Sequence, residues 1–438
     1  MMSILVIFSL TGLFIGETPP GLWIPDAKVN YADVAWMITA TIFVLMMTPG
    51  LSFFYGGMVR QKNLISTVLQ SFIAMGVISV LWVVFGFSLA FGDSIGGFVG
   101  NPATFFMFNG VGAKTDPLLA PTIPLALFAL FQMKFAIITP SLITGSFAER
   151  VRFSSYMVFM ILFCIFVYCP LAHWIWHPNG FLRQLGVVDF AGGIVVHASS
   201  GVAALVGAIF LGKRREQGDE RIPANIPFVM LGAALLWLGW FGFNAGSSLA
   251  ANAIAIKAFL NTNTASATAM LAWVFLDCLR GNKPSAMGAA IGAVVGLVAI
   301  TPSAGYVTVG ESMFIALATT MICNVAVHWK NRTSVDDALD VFPTHGVGGI
   351  VGTIFTGVFV NGLVAGNYHI FFVHILAVVI VCTYTAVVTY GLYWLTNKMI
   401  PMRVSAKSES IGLDLSQHDE KYGVLFASER ELAEYDEK

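Results

Sequence analysis

Apolar residues along this chain run in long stretches that end at Gly, Pro, Asn or charged residues. They fall near 33–57, 64–91, 122–147, 153–175, 191–212, 226–248, 251–278, 286–300, 308–329, 345–363 and 369–398. Most are about 20 residues or longer, enough for a helix to cross a hydrocarbon core of roughly 30 Å. The pattern predicts an all-α polytopic membrane protein with about eleven transmembrane helices, preceded by a segment 1–30 and followed by a tail 401–438. An earlier apolar run, Ser3 to Gly16, is short for a span. Its length fits a signal-peptide core, but the preceding MMS carries no positive side chain and GETPPG offers no clear small-x-small cleavage site.

The basic residues add a direction. Arg60 and Lys62 follow the first span, Arg150 and Arg152 the third, and Lys213, Arg214, Arg215 and Arg221 the fifth. Arg280 and Lys283, then Lys330 and Arg332, then Lys398, Arg403 and Lys407 follow the seventh, ninth and eleventh. Lys and Arg accumulate in cytoplasmic loops, so this alternation predicts an external N-terminus and a cytoplasmic C-terminus.

Composition agrees: 57% of the 438 residues are hydrophobic and 11% charged, against about 25% charged in a soluble domain. The net charge of -1 gives nucleic acid nothing to bind. The five cysteines, Cys164, Cys169, Cys278, Cys323 and Cys382, lie in apolar segments without metal-ligand spacing and read as small buried residues. LVGAIFLG (205–212) resembles IVGTIFTG (350–357), and each follows a segment with one histidine. Spans one to five and six to ten therefore read as related halves of opposite topology, inverted five-helix repeats of the kind many transporters use. The 43 glycines, many spaced with other small residues, suit close helix packing.

Ionisable groups inside a membrane are costly, and those that persist are functional candidates. Here they are Asp189, His197, His345, Lys134 and Lys257. His197 in DFAGGIVVHASSG and His345 in VFPTHGVGG are each either a helix-to-helix hydrogen bonder or part of a polar line through a dry pore, since neutral imidazole offers one donor and one acceptor. No HExxH or clustered ligand spacing supports a metal, and no cofactor is implied. Asp189, followed by Gly192 and Gly193, reads as a helix N-cap or as a cation-attracting charge at an external mouth. Phe131 and Phe135 lie one turn apart, Trp176 precedes Asp189, and WFGFNAGS holds Trp240, Phe243 and Ser247. A Trp face and a hydroxyl near a carboxylate can hold a small cation.

Taken in order, ADVAWMITATIFVLMMTPGLSFFYGGMV, GSFAERVRF, DFAGGIVVH, GWFGFNAGS and DVFPTHGVGG resemble the ammonium transporter, methylammonium permease and Rhesus family over about residues 31–422, on its ammonium transporter branch. The resemblance implies a homotrimer in the cell membrane with one pore per subunit, passing ammonium or methylammonium. By motif position Phe131, Trp176 and Ser247 would form the external cation site with Asp189 beside it, Phe135 and Phe243 a gate, and His197 and His345 paired pore histidines. GLDLSQHDEKY (412–422) resembles the family's C-terminal motif, which helps to bind PII-type signalling proteins at the cytoplasmic face. Two residues depart from the family pattern. Asp419 stands where a glycine is expected, and Lys134 stands beside Phe135 where a small or apolar residue is usual. A pore-facing Lys134 would repel substrate, whereas successive helix residues diverge by about 100°, which favours Lys134 pointing away.

The leading expectation is therefore an ammonium transporter. An ammonium sensor that signals through its tail is the alternative; an intramembrane enzyme would need a metal or an activated nucleophile that the spacing does not offer.

Overall fold

The computed structural model describes residues 2–14, 21–215 and 222–423. Arg221 and the acidic stretch from Ser428 onward fall outside them. Among the described residues nine helical segments are long and apolar enough to cross a membrane: Tyr31–Met58, Gln61–Phe91, Leu125–Ser146, Phe153–Gln184, Gly193–Leu211, Ile226–Gly246, Val309–Lys330, Phe342–Ala365 and Tyr368–Met399. The other two expected spans are Ala253–Leu279, which is long but more polar, and Ala286–Ile300, which is apolar but only 15 residues. The early apolar run forms a 13-residue helix, Met2–Phe14.

One boundary differs for a visible reason. The apolar pattern starts the third span at residue 122, but Ala120–Pro124 is a strand paired with Thr115–Asp116, and the helix begins at Leu125. Pro121 and Pro124 each lack the amide proton a helix interior uses and fix an extended approach.

Packing joins the two expected halves. Tyr31–Met58 lies along Ile226–Gly246 more extensively than any other described pair of helices. Glycine makes this approach close: a Cβ on Gly232 would sit 2.3 Å from the Phe54 amide nitrogen. The outer flanks stay apolar and exposed, as with Phe275, Val325 and Trp394, which suits a surface facing lipid or a neighbouring subunit. Cys164, Cys169 and Cys323 are buried as expected and Cys382 partly so; Cys278 is instead exposed on such a flank.

The tail folds back as two short helices, Ala406–Ile411 and Leu413–His418. Asp414 accepts from the Ile65 and Ser66 amides at 3.0 and 2.7 Å, capping the helix that starts at Leu64. Glu409 accepts from the Arg215 amide at 2.7 Å and pairs with Arg403 at 2.9 Å. Asp419 has a left-handed backbone, φ 54° and ψ 36°, at the end of its helix. Glycine is the natural residue there, and Asp is among the few others that tolerate it.

Candidate functional site

The aromatic residues singled out in the sequence converge at one point. Phe135 and Phe243 stack with centroids 4.3 Å apart and planes 27° off parallel. Phe131 meets Phe135 edge to face at 5.0 Å, and Trp176 does so at 5.6 Å. Above the stack opens a vestibule of about 210 Å³, walled by Trp176, Asp189, Ser247, Phe135 and also Gln132. Phe131 is fully buried behind this wall against Gly246 and does not border the open space. Arg183 stands exposed at the rim.

Asp189 is placed by its own loop. Oδ1 accepts from the Gly192 and Gly193 amides at 2.9 and 2.6 Å, and Oδ2 from Ile194 and Val195 at 2.9 and 3.2 Å. The chain wraps the carboxylate this way because Gly192 takes φ +119°, and a Cβ there would strike Val196 Cγ2 at 2.6 Å. Both oxygens are thus saturated, leaving Asp189 little capacity to bond a ligand directly. Its carbonyl accepts from the Trp176 indole at 2.9 Å, which locks the ring at the vestibule wall.

Beneath the Phe pair, the His197 ring lies 5.9 Å from Phe243 and 5.3 Å from His345. The two Nδ1 atoms are 3.2 Å apart, so one carries the proton and the other accepts it. Both rings are buried, and His197 Nε2 has no hydrogen-bond partner. Trp240 covers His197 at 5.2 Å, nearly parallel, and is pinned by its indole donating to Thr301 Oγ1 at 2.8 Å. Both histidines sit in π-helical turns that open their helices, Gly193–Ala198 and Phe342–Gly346. Such turns are rare and favour functional positions. The helices cross closely: a Cβ on Gly201 would lie 2.2 Å from the Gly346 Cα.

A family model described as the Ammonium Transporter Family matches residues 35–422. The chain belongs to that family. It is a multi-pass protein of the cell membrane. It is 44% identical to the ammonium transporter of Aquifex aeolicus over 90% of this chain and 94% of that one. With the ammonium transporter of Bacillus subtilis the identity is 42%, over 90% and 98%. Among solved structures, Saccharomyces cerevisiae Mep2 superposes with a TM-score of 0.83 at 33% identity, covering 92% of this chain and 93% of that one. A protein titled Sensor Amt Protein gives 0.82 at 29%, covering 89% and 98%.

Two residues of this family member lie apart from the site. Lys134 does not border the vestibule; its Nζ lies 3.7 Å from Met133 Sδ. Lys257 is half-buried and donates to the Tyr306 carbonyl at 2.8 Å. Sequence reasoning passed over two others. Gln132 lies on the vestibule wall, and the signal was an amide side chain inside an apolar helix. Asp337 caps the helix of His345, with Oδ2 accepting from the Phe342 amide at 2.7 Å. Its signal was spacing: Asp337 precedes His345 by eight residues, as Asp189 precedes His197.

Proposed function

We propose that this protein conducts ammonium across the cell membrane through a pore in each subunit of a homotrimer, entering at the vestibule beside Asp189. The observation that carries this reading is the continuous line from the Trp176 and Ser247 vestibule, through the Phe135–Phe243 stack at 4.3 Å, to the His197–His345 pair at 3.2 Å. Ammonium or methylammonium is drawn by the Asp189 carboxylate and held against the Trp176 face by cation–π attraction. The stacked rings exclude bulk water, so the ion leaves its proton to water in the vestibule and ammonia passes to the histidines. One Nδ1 there donates to the other, which leaves one Nε2 a donor and the other an acceptor for a small neutral guest.

In this reading the two halves are inverted repeats, the vestibule is external, and the tail lies at the cytoplasmic face, where a PII-type signalling protein would dock. The Asp-x7-His segments entering from opposite halves support the repeat.

The test uses the purified protein in liposomes on a solid-supported membrane, recording current and internal pH after an ammonium jump. A saturable response lost in His197→Ala establishes conduction through this line. A current means net charge moves; an internal pH change without current means neutral ammonia passage. Binding of ammonium with neither response would turn the reading towards a sensor, a role suggested by the similarity to Sensor Amt Protein.

A further inference from the structure

Asp189 is the acidic group at the vestibule, yet its two oxygens already accept four backbone N–H bonds. An ammonium ion brings four N–H donors of its own and needs oxygens that are still open. Ser247 is one source: its hydroxyl donates to the Phe243 carbonyl at 2.8 Å, which leaves the oxygen lone pairs facing the space.

The second source is Gln132. Its side chain borders the vestibule, its residue exposure is 9%, and its Oε1 is buried without a hydrogen-bond partner. A buried acceptor left open is costly and calls for an explanation. Other buried polar atoms among the described residues also lack partners, but Gln132 is the vestibule residue that carries one.

We propose that Gln132 Oε1 is a direct hydrogen-bond acceptor for ammonium in the vestibule, alongside Ser247, while Asp189 supplies charge from behind its cap. This rests on the ammonium-conducting reading above. The division of labour is physical. A saturated carboxylate attracts a cation by charge alone, whereas an open acceptor oxygen set beside aromatic faces receives one of the ion's N–H bonds.

The experiment measures the ammonium response of liposome-reconstituted protein as a function of concentration for wild type, Gln132→Met and Gln132→Glu. Methionine keeps length and bulk but removes the acceptor. The half-saturating ammonium concentration should rise roughly tenfold, the scale of one hydrogen bond to a charged group, with the maximal response within about twofold of wild type. Glutamate restores an acceptor and should bring half-saturation to the wild-type value or below at neutral pH, and weaken it again on acidification. An unchanged half-saturation in Gln132→Met, or a lost maximum with unchanged half-saturation, would overturn the assignment of Gln132 while leaving conduction standing. Absence of any wild-type response would overturn the conducting reading itself. Should the methionine variant fail to fold, the glutamate variant decides alone, since a half-saturation that ignores pH would rule out contact with the ion.

Discussion

Two helices meet at the His197–His345 contact, each opened by an aspartate eight residues before its histidine, and their caps differ. On the vestibule side Asp189 accepts from the amides of the third, fourth, fifth and sixth residues after it. On the tail side Asp337 Oδ2 accepts from Phe342, the fifth, and its Oδ1 is buried without a hydrogen-bond partner. In both segments the third residue has a left-handed backbone, Gly192 at φ +119° and Asp340 at φ +57°. The divergence comes at the sixth residue. Val195 brings an amide proton; its counterpart Pro343 has none. Burial raises both carboxyls above the ordinary value, but at Asp189 four amides work against the rise, whereas Asp337 keeps an oxygen without a partner. Burial and the neighbouring Asp340 carboxylate push Asp337 up to about 6, against help from Lys330.

The largest expected effect breaks the saturated cap. Asp189→Ala leaves four buried amides without an acceptor, at roughly 1 kcal/mol or more each, so the loss should be about 4 kcal/mol or more. Asp189→Asn keeps one acceptor oxygen and should lose about half as much. Thermal unfolding in detergent measures both, and an asparagine variant that melts with wild type would show the four bonds to be unimportant.

The inner cap should respond with the opposite sign. Its carboxyl pKa is higher folded than unfolded, where the ordinary value is 3.8, so the folded state holds the proton more tightly in between. Stability from this group is therefore full below about pH 4, falls as pH rises to about 6, and stays low above. Asp337→Asn should remove that slope and stabilise the protein at neutral pH by about 3 kcal/mol, since stability falls by roughly 1.4 kcal/mol per pH unit across that window. Unfolding at about pH 5 and about pH 7.5 reads it directly. A neutral-pH loss in Asp337→Asn would mean the charge is wanted.

A smaller change sharpens the contrast from outside. Lys330 pairs with Asp340 at 2.6 Å and donates to the Asp337 carbonyl at 3.0 Å. Lys330→Met leaves the two carboxylates without that cation. It should cost about 1 kcal/mol at neutral pH and move the titration upward. A titration midpoint that stays in place would exclude electrostatic coupling between the two.

How much of this was visible in the chain follows from what each residue has to say alone. The spans were legible because a bilayer forces long apolar runs, and the Phe135, Phe243 and histidine positions because such residue types are expensive or conspicuous in that setting. Asp189 was legible as a cap because two glycines follow it. Asp337 was not, since the loop around it carries Asp336, Asp340 and a proline, and reads as ordinary polar connection. Gln132 was passed over because one amide between Phe131 and Phe135 reads as spacing until the vestibule is seen to open beside it. The π-helical turns at both histidines left no local signature; they arise where a cap and a tight crossing meet.

The smallest expected effect is the most direct test of why the caps differ. Pro343→Ala gives the inner helix the amide proton that Val195 supplies to the outer one, at the same place relative to the aspartate. Removing proline frees the unfolded chain and costs roughly 0.4–1 kcal/mol, while a new hydrogen bond to a buried carboxylate returns about the same or more. Net stability at neutral pH should therefore change by less than about 1 kcal/mol. The titration should not stay in place, because a donor to the charged form favours that form and lowers the pKa of Asp337. The pH window over which stability falls should move towards acid in the alanine variant, and this movement should vanish when Asp337→Asn is added. A movement that survives in the double variant would place the titration elsewhere. No movement in the single variant would mean that the missing amide is not what separates the two caps, leaving burial and the nearby Asp340 charge as the cause.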